Sequence, residues 1–164
     1  MANLILFSPE HFLADAATNF PQYLAHMPGA AFRSSLAFDN TVSEKCRSVS
    51  FKMPVFAGAL TIRIRFAIAA TTGNVQFRVQ CEAITPADAL NTSTTRSFAS
   101  ANSSSSTSVP GTTFNTKELT IALTNDDSVA AGDTFTFTID RDVSVGSNAA
   151  GDCYLLEASL EDAS

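Results

Sequence analysis

The sequence has no tryptophan, two tyrosines and two histidines, against 13 phenylalanines. Tryptophan and tyrosine combine a broad apolar face with a polar handle. Their scarcity weighs against an exposed platform of the kind that stacks on sugars, and the abundant phenylalanine marks a core. His11 and His26 both lie in a proline-broken N-terminal stretch, so a serine or cysteine nucleophile elsewhere has no evident base. Neither a Gly-x-Ser-x-Gly elbow nor a Gly-x-x-x-x-Gly-Lys phosphate loop occurs. The expectation is a protein that is not an enzyme and holds no cofactor.

Charge is also sparse. Asp, Glu, Lys and Arg make up 16% of the 164 residues, against about 25% in ordinary soluble domains. The net charge of −6 leaves no basic excess to displace counterions from a phosphate backbone, which excludes nucleic acid as a partner. No apolar run approaches the roughly 20 residues needed to cross a bilayer, so no membrane partner is expected. The start, Met1 to Phe7, lacks a basic leader and is cut short by Pro9-Glu10, so synthesis and retention in a cytoplasm are expected. Cys46, Cys81 and Cys153 are odd in number and show no Cys-x-x-Cys spacing. They are expected to be buried small hydrophobes, neither a disulfide framework nor a metal set.

What is present is alternation. Leu60, Ile62, Ile64, Phe66 and Ile68 alternate with Thr61, Arg63, Arg65 and Ala67; Val75, Phe77, Val79 and Cys81 alternate with Gln76, Arg78 and Gln80. A period of two is the signature of strands with one buried face. The turn sequence Thr71-Thr72-Gly73-Asn74 between them predicts a long antiparallel hairpin. Further strands are expected over Ala31 to Phe38, Cys46 to Met53, Leu119 to Leu123, Phe135 to Ile139 and Tyr154 to Leu160. Seven or eight short strands with turns rich in Gly, Asn, Asp and Ser predict an all-β fold, an antiparallel jelly-roll β-sandwich over 32–164. Residues 1–31 break this rhythm with Pro9, Pro21 and Pro28 and form an extended N-terminal arm, with a short helix expected over Pro9 to Ala17 behind a Ser8 cap. Its apolar residues wrap the sandwich or dock on a partner. The nearly uncharged segment from Asn91 to Thr113 is expected to be a long excursion or an irregular edge strand.

Carboxylates offer little chemistry. Asp126-Asp127 sits in a turn, where solvated turn bonding competes with any glycosidase-like pair. Asp140 and Asp142 flank Arg141, a pattern of local ion pairs. Their convergence with Asp152 on calcium is the alternative, without an EF-hand loop to support it. Arg63, Arg65 and Arg78 are expected to form one small basic patch on the paired strands.

Several strings, in order, carry a resemblance: Ser50-Phe51-Lys52-Met53-Pro54, Ala57-Gly58-Ala59-Leu60, Thr71-Thr72-Gly73-Asn74-Val75, Ala131-Gly132-Asp133, Ile139-Asp140-Arg141-Asp142 and Ala150-Gly151-Asp152. Over residues 48–160 this order resembles the small jelly-roll structural proteins of tailed bacteriophages, with Phe66 and Phe77 standing where that pattern has Trp. The resemblance implies a virion component: a capsid decoration or cement protein on the capsid surface, assembled in the bacterial host cytoplasm, with the major capsid protein as partner and a homotrimer as assembly. The alternative is a tail, head-fibre or baseplate domain that binds host-surface glycan. Partner contacts are expected from Leu4, Leu6, Phe7, Phe12, Leu13, Phe20 and Tyr23 of the arm and from Arg63, Arg65 and Arg78, with the Ser/Thr-rich segment as a second contact surface.

Overall fold

The computed structural model describes residues 2–15, 19–29, 32–88 and 98–164. Among them the chain forms strands β1 (Ala2–Phe7), β2 (Phe12–Ala14), β3 (Gln22–Leu24), β4 (Ser35–Phe38), β5 (Lys45–Ser48), β6 (Phe51–Lys52), β7 (Leu60–Ile68), β8 (Asn74–Val75), β9 (Phe77–Ile84), β10 (Asn102–Ser103), β11 (Thr107–Ser108), β12 (Thr116–Ala122), β13 (Thr134–Arg141) and β14 (Cys153–Asp162). Two antiparallel six-stranded sheets face each other, as a jelly-roll β-sandwich requires. The first runs β12-β7-β14-β4-β3, with β1 beside β4 on the same edge of β14; the second runs β10-β9-β13-β5-β2, with β6 also on β13. β8 and β11 form a separate short pair.

Alternation decides which residues fill the space between the sheets. Ile62, Ile64 and Phe66 of β7 meet Phe77, Val79 and Cys81 of β9, with Phe135, Phe137, Ile139, Leu155, Ala158 and Leu160 closing one continuous core. Phenylalanines set its texture: Phe7 meets Phe137 edge-on at 5.0 Å, and Phe38 meets Phe77 edge-on at 5.6 Å. Cys46, Cys81 and Cys153 are buried and free. Burial pushes all three thiols up, Cys81 and Cys153 to about 12, so they pack as small hydrophobes.

The expected β7–β9 hairpin does not form. β7 pairs with β12 and β14, while β9 pairs with β10 and β13. The turn is an arch that carries the chain from one sheet to the other. Alternation fits both geometries, because an apolar face is buried equally well beside a neighbour or opposite one. The arch is held by Gly73, whose φ of +96° is open to glycine and whose missing Cβ leaves room for the Ala149 backbone, which an added Cβ would meet at 2.7 Å. One consequence is a corrected patch: Arg63 and Arg65 lie on the outer face of the first sheet, and Arg78 lies on the outer face of the second, paired with Asp140.

The N-terminal segment contributes three strands to the sheets. Phe7 and Phe12 are core residues, and Leu4 and Phe20 pack against the same core. The expected helix shortens to one 3-10 turn over Pro9–His11, after which Phe12 is extended at φ −109°; residues 16–18 lie outside the described set. Glu10 fastens this turn. It accepts a hydrogen bond from the Tyr23 hydroxyl at 3.0 Å, and bonds from Ser34 and then Ser8 hold its carboxyl down to about 2. Of the Ser/Thr-rich segment, the described part folds back on its own sandwich: β10 pairs with β9, and the Asn102 carboxamide bonds to Val79, Thr124 and Asn125.

Arg141 is wholly buried. Its guanidinium donates to the carbonyls of Phe38 (3.2 Å), Gly151 (2.9 Å) and Ala149 (2.7 Å) and to Asn148 Oδ1 (3.0 Å). Desolvation pushes its pKa down, and the nearby Asp152, Asp39 and Glu44 charges oppose that. Asp140 and Asp142 pair with Arg78 across the sheet, and the alternative, their convergence with Asp152 on calcium, is not seen: among the described residues, no three His, Cys, Asp or Glu side chains are placed to hold a metal ion.

Two outcomes follow for stability. Arg141→Met leaves the buried Phe38 and Ala149 carbonyls and the part-buried Gly151 carbonyl without their donor, at a cost of about 3–5 kcal/mol and a fall in Tm of roughly 10 °C by calorimetry; an unchanged Tm would show the clamp to be idle. Because the folded Glu10 pKa is depressed from 4.5, its contribution is fully present above the unfolded value and is lost as pH falls from 4.5 towards about 2. Wild type is therefore expected to lose stability faster than Glu10→Gln across that window in acid-unfolding curves. Parallel curves would place the effect elsewhere.

Candidate functional site

The outer face of the first sheet divides into two halves. One half is charged. Register places Glu118 of β12 and Glu157 of β14 on either side of Arg65 of β7. Arg65 Nε donates to Glu118 at 2.8 Å and its NH1 reaches Glu157 at 2.9 Å. Arg63 bonds Glu161 at 2.9 Å. Arg65 holds the Glu118 carboxyl below its usual range, and Glu118 in turn raises Arg65. These exposed pairs add little stability singly, but they fix the long side chains in a ladder across three strands.

The other half is apolar. Met27, Ala37, Ala67 and Tyr154 form a second cluster outside the main core, with Leu24, Phe114 and Leu156 packed against it. Met27 belongs to a loop that crosses the sheet between β3 and β4, where the Met27 N–H donates to the Arg33 carbonyl at 2.7 Å. Where the two halves meet lies a groove of about 550 Å³. Its floor is Arg65, Leu156 and Glu157. One wall is Leu6, Ser8 and Pro9, a second is Met27, Phe32, Arg33 and Ser34, and Phe114 and Thr116 close the third side.

Two devices build this groove. The first is a β-bulge in β14. Leu155 pairs with Phe66 and Glu157 with Arg65, so Leu156 is an extra residue. A bulge of this kind re-aims side chains, and here it lets consecutive residues, Leu156 and Glu157, both line the groove while Leu155 and Ala158 stay in the core. The second is backbone strain. Phe32 and Phe114 both hold left-handed φ, at 66° and 59°, a conformation that costs about 1–2 kcal/mol in a side-chain-bearing residue. Phe32 is nonetheless 89% exposed. His26 props it: the rings meet edge-on at 6.0 Å, and the Phe32 N–H donates to His26 Nδ1 at 3.3 Å. Phe114 packs against Tyr154 with the rings tilted, their centroids 5.9 Å apart.

The expected contact residues scatter. Leu6 and Arg65 reach the groove. Phe7 and Phe12 are core, Leu4 and Phe20 support it, and Arg63 lies along the charged ladder. Tyr23 is half-exposed and bonds Glu10, Leu13 is half-exposed on β2, and Arg78 is on the far sheet. Sequence reasoning missed Phe32, Arg33, Phe114 and Glu157. Phe32 was placed in a strand running from Ala31 to Phe38, whereas β4 begins at Ser35; Ala31 lies outside the described residues. The signal that points to Phe32 is a bulky aromatic directly after the small, turn-forming Pro28-Gly29-Ala30-Ala31.

No protein-family model matches the chain, and no curated protein matches it. Solved structures do match its fold along the whole length. A family 6 carbohydrate-binding module from Clostridium cellulolyticum in complex with xylose is 9% identical at a TM-score of 0.53, covering 99% of this chain and 100% of that one. A carbohydrate-binding module of the CBM28 type, specific for non-crystalline cellulose, is 11% identical at 0.52, covering 94% and 89%. The CBM22-1 xylan-binding domain of Paenibacillus barcinonensis Xyn10C is 11% identical at 0.50, covering 99% and 98%. The jelly-roll expectation holds. The capsid reading does not: these three similar structures are carbohydrate-binding modules, with nothing to support a capsid decoration protein, a major capsid protein as partner or a homotrimer. The fold supplies a physical reason, since the apolar segment expected to clamp a capsid is already committed to β1, β2 and β3 of its own sandwich.

Proposed function

We propose that this chain is a non-catalytic carbohydrate-binding module whose ligand lies in the groove on the outer face of the first sheet. The observation that carries the reading is Phe32, 89% exposed and held at a φ of 66° on the rim of an apolar groove floored by an arginine–glutamate pair. A pyranose ring has an apolar face and a polar edge. Phe32 and Phe114 offer flat apolar surface to the first, at roughly 25 cal/mol per Å² buried, while Arg65 and Glu157 offer donors and acceptors to the second. A concave, mostly apolar site with a few placed polar groups is the ordinary form of a small-molecule site. The fold supports the reading as well, because the similar solved modules bind xylose, xylan and cellulose.

Affinity electrophoresis of the full chain through gels containing soluble xylan, mixed-linked glucan or hydroxyethyl cellulose tests this. Retardation by at least one polymer is expected. Phe32→Gly is expected to weaken it by about thirtyfold, the loss of an interface hot spot of about 2 kcal/mol. Glycine also relaxes the left-handed backbone, so the Tm of this variant stays level or rises. Binding that survives Phe32→Gly would move the site off the groove, and a chain that recognises no polysaccharide on these gels or on a glycan array would overturn the reading.

A further inference from the structure

Charge in the groove is not balanced wall to wall. On the floor, Arg65 and Glu157 neutralise each other at 2.9 Å, and Arg65 also holds Glu118. Arg63, next along the ladder, has Glu161. Arg33, on the loop wall beside Phe32, is exposed and has no ion pair among the described residues. Carboxylates are not scarce: the chain has 16 Asp and Glu against 10 Lys and Arg. On the sheet faces Arg63, Arg65 and Arg78 have acids; Arg33 and Arg47 have none among the described residues, and of these two only Arg33 lines the groove. Its backbone is also anchored, through the Met27 N–H to the Arg33 carbonyl at 2.7 Å and through the strained Phe32 held by His26. Arg33 thus stands next to the aromatic rim, with no side-chain partner for its guanidinium among the described residues.

A guanidinium fork matches a carboxylate with two parallel N–H bonds, and it also accepts the oxygens of a sulfate ester. We propose that Arg33 is the specificity-determining residue of the groove, selecting glycans whose stacked ring carries an anionic substituent, a uronic-acid carboxylate or a sulfate ester. The inference rests on the glycan-binding reading above and adds the ligand's charge to it. Phe32 takes the ring face and Arg33 the acidic group at its edge, so the two consecutive residues read one sugar.

The test is titration calorimetry of the full chain with glucuronoxylan, its carboxyl-reduced neutral form and a sulfated glucan. Wild type is expected to bind an acidic polymer about tenfold tighter than the neutral one, the range of a hydrogen bond to a charged group. Arg33→Gln is expected to erase that difference, Arg33→Lys to restore part of it, and Arg47→Gln on the opposite sheet to change nothing. Preference for glucuronoxylan or for the sulfated glucan identifies which anion the fork holds. Equal binding of acidic and neutral xylan, an Arg33→Gln variant that still discriminates, or an equal loss in Arg47→Gln would overturn the role of Arg33 and leave glycan binding standing. Failure to bind any of the three would overturn both.

Discussion

The burial of one guanidinium organises the end of the sandwich from which the site is built. Arg141 closes β13, and its donors reach the last residue of β4 and the loop that leads into β14. Asn148, one of its partners, donates in turn to the Asn40 carbonyl at 2.8 Å, and the adjoining backbone bonds to Asn74. Three arches between the sheets therefore converge on one side chain that is fully removed from water. A buried charge is tolerated when its hydrogen bonds are met, and backbone carbonyls meet most of these without a second ion. The contact sets where β14 begins, and hence where Tyr154, Leu156 and Glu157 fall on the outer face.

The groove is made by exceptions to the rules that make the fold. The long strands obey alternation, and their share of the core could be written from the period, whereas Phe7 and Phe12 join it from the proline-broken segment. At the site, one strand holds a bulge, two phenylalanines accept left-handed backbone, and an apolar ring faces water. Each departure costs free energy locally, and all three meet at one place. Stability spent there has been recovered in the phenylalanine-rich core, where the edge-on ring contacts of Phe7, Phe38, Phe77 and Phe137 lie.

This division explains what could be read in advance. The inner faces of β7, β9, β12, β13 and β14 were legible because a half-buried strand writes its period directly into the sequence. The pairing of β7 was not, because a hairpin and an arch present the same alternation and differ only in contacts far along the chain, such as those of Arg65 with Glu118 and Glu157. The aromatic count misled in a specific way. Scarce Trp and Tyr weighed against a sugar platform, but under the proposed glycan-binding role a flat apolar face held in the open suffices, and Phe32 offers one. A left-handed residue in a loop of small side chains leaves no periodic trace. The resemblance to phage proteins rested on turn punctuation, which jelly rolls of different function share.

The bulge at Leu156 gives the groove a residue that the core does not count. Side chains change face at every step of a strand, yet Leu155 pairs with Phe66 and Glu157 with Arg65, so Ala158 and Leu160 keep to the core whether Leu156 is present or not. Deleting it would restore a regular ladder and take one apolar side chain from the floor without turning the end of β14 over. Arg65 and Glu157, held opposite each other by register, are the fixed part of the floor, while Leu156 and the loop walls are the parts open to exchange.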